Sequence, residues 1–311
     1  MPVWIIISVV AVYVIGLFAI GFWGERRAKQ EDVISRPIIY SLALAVYCTS
    51  WTFYGGVGTA ASRGWEYAAI YAGPMLVFLL LPGLVRRIGA IAQRERINSL
   101  SDFLSARYGK SRSLAALATL AAVVGSLPYI ALQLKSVGMS FSALARTYQP
   151  SGENNHDTVL AVALAMATFS VLFGTRKSDT TDKNSGLMHV LAFESLIKLA
   201  ALLLVAIISI SGIRLLSSEQ ISVAMESFST DSFTARFFTA GFLSMAAILC
   251  LPRQFHVAII ERNDDNESRL ARWAFPIYLA FTTLVVLPIT VAGSGLLPAN
   301  VSPDLFVIEL P

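Results

Sequence analysis

Residues 47–61, Tyr47 to Ala61, read YCTSWTFYGGVGTAA. Inside one apolar segment they gather the aliphatic hydroxyls Thr49, Ser50, Thr52 and Thr59, the aromatics Tyr47, Trp51, Phe53 and Tyr54, and the glycines Gly55, Gly56 and Gly58. Glycine weakens a helix and lets its backbone approach a neighbour or ligand. The hydroxyls add donors and acceptors, and Trp51 and Tyr54 add stacking surface with a polar edge. Irregular backbone at membrane depth is tolerated only where it is buried in protein or lines a cavity. A broken helix of this kind is a place to hold a polar solute or an ion. Gly55-x-x-x-Thr59 also fits close helix packing, and the two readings can share one helix on different faces.

The surrounding composition makes this a membrane question. The chain has 311 residues, 55% hydrophobic and 14% charged, with mean hydropathy +0.64. An ordinary soluble domain is about 25% charged. The charges collect between long apolar runs, as in a multi-pass bundle. The net charge of +4 comes from basic residues at connections, so topology explains it and no nucleic-acid partner is expected. The two cysteines, Cys48 and Cys250, lie inside apolar segments with no metal-ligand spacing. Phosphate loops, nucleophile elbows, H-E-x-x-H and kinase nucleotide signatures are absent from the sequence, so no enzyme activity is expected of this chain. Residues 1–24 lack a basic leading region and are followed by Glu25, Arg26, Arg27 and Lys29, the pattern of an uncleaved first helix.

Working outward, apolar runs predict eight spans, at 3–23, 37–61, 67–85, 114–145, 158–173, 187–213, 238–260 and 273–297, in a single all-α membrane domain over 1–311. With the N-terminus outside, most Lys and Arg fall on cytoplasmic connections, above all 86–112. The fourth span is too long for a straight crossing, which implies strong tilt or a break near Gly125 and Pro128. In the 86–112 connection, Ser101 is the expected cap of a short helix ending near Arg107. The outer stretch 217–231 is expected to be an exposed loop with a short helix.

Four spans carry further candidates. Gln133 must find polar partners, on the solute path or in a helix contact. Lys135, near the outer end, can snorkel. Glu194 and Lys198, at i and i+4 in the favourable order, suit a paired charge inside the bundle, structural or on a proton or substrate path. Pro252 frees a carbonyl one turn back and places Arg253, Gln254 and His256 together, at a gate or simply at a helix end. His189 is expected at the membrane interface, and His156 in solvent.

TSWTFYGGVGTA at 49–60, INSLSDFLSARYG at 97–109, LPYIALQLKSVG at 127–138 and PRQFHVAIIE at 252–261 resemble the sodium:solute symporters. The closest likeness is to the transporter-like N-terminal region of bacterial sensor histidine kinases controlling carbon and nitrogen use. The resemblance implies a LeuT-like inverted-repeat bundle in the bacterial inner (cytoplasmic) membrane, with 3–23 an additional first helix and 37–61 the discontinuous core helix. It implies a small polar solute, an amino acid such as histidine or proline, facing Ser50, Trp51, Thr52 and Gly55, to which the residue reading adds Gln133. It implies sodium as the cation, held by the carbonyls of Ala45 and Cys48, with no other cofactor. Glu194, Lys198, Arg253 and His256 then take gating or structural roles. The alternative is a sensory input domain that binds solute and signals to cytoplasmic kinase domains of a longer parent without net transport. Two departures stand out. Proline-transporting relatives place an aspartate where Tyr47 stands here, and the hydroxyls completing the family's sodium site would fall beyond Pro311. The second repeat is therefore expected to be incomplete and the chain an N-terminal fragment.

Overall fold

The computed structural model describes residues 3–27, 35–145, 160, 164 and 184–311. The fifth predicted span and His156 lie outside these residues. The described residues form helices and connecting turns, with no strand among them. The first is α1, Val3–Arg27. The predicted second span is a series of short pieces: α2 (Ser35–Ala43) with a tightened turn over Leu44–Tyr47, then α3 (Ser50–Phe53) and α4 (Gly55–Arg63). Next come α5 (Ala68–Leu80), α6 (Pro82–Arg94), α7 (Leu100–Arg107) and α8 (Arg112–Ala145). The second half holds α9 (Ser185–Ile213), α10 (Ser218–Glu226), α11 (Ala235–Cys250), α12 (Pro252–Phe255) and α13 (Asp265–Leu296).

Four helices, over Trp4–Arg26, Arg112–Leu144, Ser185–Ile213 and Asp265–Leu296, are long and apolar enough to cross a membrane, and two sharply bent pairs raise the number to six among the described residues. This is fewer than the eight spans predicted. The fifth lies outside the described residues. The second is cut into pieces too short to count, because residues 48 and 49 leave the helix. The third stops at Leu81, where the chain turns through 77° into α6.

Three local expectations change. Ser99 caps α7, its Oγ accepting the Asp102 amide at 3.1 Å, and Ser101 lies within the first turn. The long fourth span is one unbroken helix of 34 residues, about 51 Å at 1.5 Å per residue. It passes Pro128 because one freed carbonyl does not end a helix this long. His189 is buried where α1 packs on α9, its ring edge-on to Trp23, so helix packing rather than the interface fixes it.

The first half of the second span is the centre of the bundle. It packs between α9 and α13, and Tyr40, Ala43, Leu44, Ala45 and Cys48 are almost wholly buried. Large apolar side chains on α1 and α8, among them Trp4, Val12, Leu117 and Leu120, point outward, as lipid-facing surfaces do. At the end of the bundle where α2 begins, Glu267 is buried beside Arg36 (3.1 Å) and accepts both the backbone and side-chain nitrogens of Asn263. That clamp ties the start of α2 to the start of α13.

Tyrosine hydroxyls cross-link the core. Residues His256–Ile260 form a wide π turn, which leaves carbonyls without their usual partners. The Asn263 amide bonds Glu267 instead, and the Tyr40 hydroxyl donates to the Ala258 carbonyl at 2.7 Å. Tyr47 donates likewise to Ile70, Tyr67 to Thr283 and Tyr278 to Ser195. Each of these bonds meets a buried phenol's need for an acceptor, a need left unmet at Tyr71 and Tyr129 among the described residues.

Candidate functional site: a break capped from both sides

The break lies between Tyr47 and Ser50. The first half-helix ends in a tight turn, the Cys48 amide donating to the Ala45 carbonyl at 2.9 Å. Cys48 (φ −76°, ψ 113°) and Thr49 (φ −118°, ψ −167°) are extended, and helix resumes at Ser50. A helix carries partial negative charge at its C-terminal end and partial positive charge at its N-terminal end. The break therefore sets a negative and a positive backbone end close together inside the bundle.

Side chains from two other helices cap these ends. From α9, the Lys198 ammonium donates to the Cys48 carbonyl at 3.0 Å and pairs with Glu194 Oε1 at 2.6 Å. From α8, Gln133 Oε1 accepts the Ser50 hydroxyl at 2.6 Å and the Ser50 amide at 3.3 Å. The other end of that amide, Gln133 Nε2, is buried without a hydrogen-bond partner among the described residues, as is the hydroxyl of Tyr129 one turn earlier. Two turns further along α8 from Gln133, Ser140 meets the Tyr54 hydroxyl.

The remaining candidates divide. Trp51 is half-buried, its ring 6.1 Å from that of Tyr71. The indole lies over Gly55, where a β-carbon would collide with it. Thr52 is buried, and the Cys48 thiol lies within reach of the Thr52 and Thr282 hydroxyls. Ala45 is buried with its carbonyl already accepting from Cys48. Arg253 stacks over the Tyr129 ring at 5.1 Å, so it stands near Gln133 and the break. His256 bonds Glu261 at 3.1 Å and belongs to the π turn.

Three features of this region escaped sequence reasoning. Gln254, placed with Arg253 and His256 by the sequence, is fully buried, and neither amide atom has a partner among the described residues, which the sequence did not foresee. Tyr71 is buried against the break, and its one sequence signal was a phenol inside an apolar run. Asp304 folds back on α4, its carboxylate filling the space where Gly58 has no side chain. That glycine serves a close approach, and only the fold could have named the partner.

Comparison with known proteins gives one distant relative. The chain is similar to the uncharacterized symporter YhjB of Bacillus subtilis (strain 168), at 31% identity over 132 residues, covering 39% of this chain and 27% of the relative. The likeness is to a symporter. The long apolar helices are those of a multi-pass membrane protein. The match spans little more than a quarter of the relative's length. No family model and no solved structure matches the chain.

Proposed function

We propose that this chain is the membrane domain of a sodium:solute symporter-like protein, and that it binds a small polar solute, an amino acid such as histidine or proline, at the break between Cys48 and Ser50. The observation that carries the reading is Gln133. Its oxygen is spent on Ser50, while its nitrogen sits buried beside the break with no partner among the described residues. An unpaired buried donor costs about 1–3 kcal/mol, and a solute carboxylate or carbonyl would recover that cost. Trp51 supplies an apolar wall, and Thr52 a hydroxyl. A broken helix packed between two long ones is also the arrangement expected of a LeuT-like bundle, and the distant relative is a symporter by name. The bacterial inner membrane is the matching location.

Labelled histidine and proline uptake by the full-length natural protein in vesicles, with Ser50→Ala and Gln133→Ala alongside, tests this. Uptake that both substitutions reduce by tenfold or more supports the reading. Saturable binding without uptake, lost in the same variants, moves the protein to the sensory role with the same site. Neither binding nor uptake for any amino acid overturns it.

A further inference from the structure

The negative end of the break already holds a cation. Lys198 Nζ lies 3.0 Å from the Cys48 carbonyl and 2.6 Å from Glu194 Oε1. Its stem rises from the middle of α9, so the ammonium is delivered from a packed helix. Glu194 sits one turn away on the same helix and fixes the side chain. A carbonyl at a helix C-terminus and a carboxylate are oxygen donors, the donor type that hard cations take. In this structure the atom that both oxygens hold is a nitrogen of the protein itself.

We propose that the Lys198 ammonium is a tethered replacement for a metal cation at the break, so that the first half-helix is held without sodium and solute binding is sodium-independent. An ammonium fixed by two oxygens this close excludes a second cation by occupancy and by like-charge repulsion. Solute binding at Ser50 and Gln133 then has no linkage to sodium, because sodium has no bound state to favour. Removing the ammonium has the opposite consequence. It leaves the Glu194 carboxylate and the Cys48 carbonyl around a hole of about an ion's size. Lys198→Ala should therefore create a sodium site that the natural protein lacks. This deepens the solute reading but rests on it only in the binding arm of the test.

The first arm uses sodium alone. The melting temperature of the purified full-length protein is followed in sodium chloride against choline chloride at equal ionic strength. The natural protein and Lys198→Arg should show no sodium-specific rise, whereas Lys198→Ala should show a saturable one, as mass action requires of a ligand bound only by the folded state. The second arm measures histidine and proline binding in the two salts, which should differ by less than about twofold in the natural protein, against a coupling of about 5–150-fold for linked sites. A sodium-specific shift in the natural protein, or tenfold tighter solute binding in sodium, overturns the proposal. So does a folded Lys198→Ala with no sodium response. If that variant does not fold, the natural protein's response to sodium decides alone. A failure of all solutes to bind removes the solute reading and leaves the first arm standing.

Discussion

Replacing Gln133 by Leu removes the acceptor that caps the second half-helix. Ser50 then loses two hydrogen bonds, 2.6 Å from its hydroxyl and 3.3 Å from its amide. The hydroxyl can turn to another acceptor, but the amide at a helix start cannot. A net hydrogen bond contributes about 0.5–1.5 kcal/mol, and an orphaned buried donor costs about 1–3 kcal/mol. The substitution also removes the unpaired Gln133 Nε2, a relief of about the same 1–3 kcal/mol as the loss at Ser50, so Gln133→Leu should change stability by less than about 1.5 kcal/mol. Ser50→Ala removes only the shorter bond and should cost about 1 kcal/mol. The double variant should cost less than the sum, with a coupling of about 0.5–1.5 kcal/mol, since each single change removes the same contact. Steric-trap unfolding in bicelles measures all four proteins. Additivity within about 0.5 kcal/mol would mean that α8 does not cap the break, and the site as described would fall.

Other perturbations probe the surrounding frame. Gly73 lies where a β-carbon would strike the Ser244 hydroxyl between α5 and α11, so Gly73→Val should cost about 1–3 kcal/mol from overpacking, read by the same unfolding assay. Tyr40→Phe leaves the Ala258 carbonyl of the π turn without its 2.7 Å donor and should cost about 1–2 kcal/mol, with faster amide exchange at 256–262 as the local signature. Partial burial pushes the Asp304 carboxyl above its ordinary value, with Lys135 pulling the other way. The folded protein thus holds that proton more tightly than the unfolded chain. Its contribution to stability is fully present below the unfolded value and is lost as pH rises through the folded one. Melting temperatures taken from about pH 4 to pH 7 should show Asp304→Asn losing that acid-side gain and matching or exceeding the natural protein at neutral pH.

The sequence carried much of this and stopped at identifiable points. Glycines, hydroxyls and aromatics in 47–61 marked the second span as unusual because their effect is local. The i, i+4 spacing paired Glu194 with Lys198 for the same reason. What the pair does depends on α9 facing the Cys48 carbonyl, a contact across 150 residues that periodicity cannot reveal. Gln133 was a candidate because a buried amide needs partners, yet its partner Ser50 stands 83 residues away. The cap of α7 was misplaced by two residues because 99 and 101 are both serines, and only backbone dihedrals choose between them. Of the two readings of the fourth span, tilt or a break, the break at Pro128 does not occur, because a proline removes one hydrogen bond and a long apolar helix absorbs that loss.

Amide hydrogen exchange across the break tests the central claim most directly. In the full-length protein in nanodiscs, peptides covering 44–55 and 129–136 are followed with each amino acid in turn. The account predicts that at least one, histidine or proline first, slows exchange in both peptides together, and that Ser50→Ala and Gln133→Ala abolish the effect. Protection confined to other segments, or none for any amino acid that the protein demonstrably binds or transports, would contradict a solute site at the break.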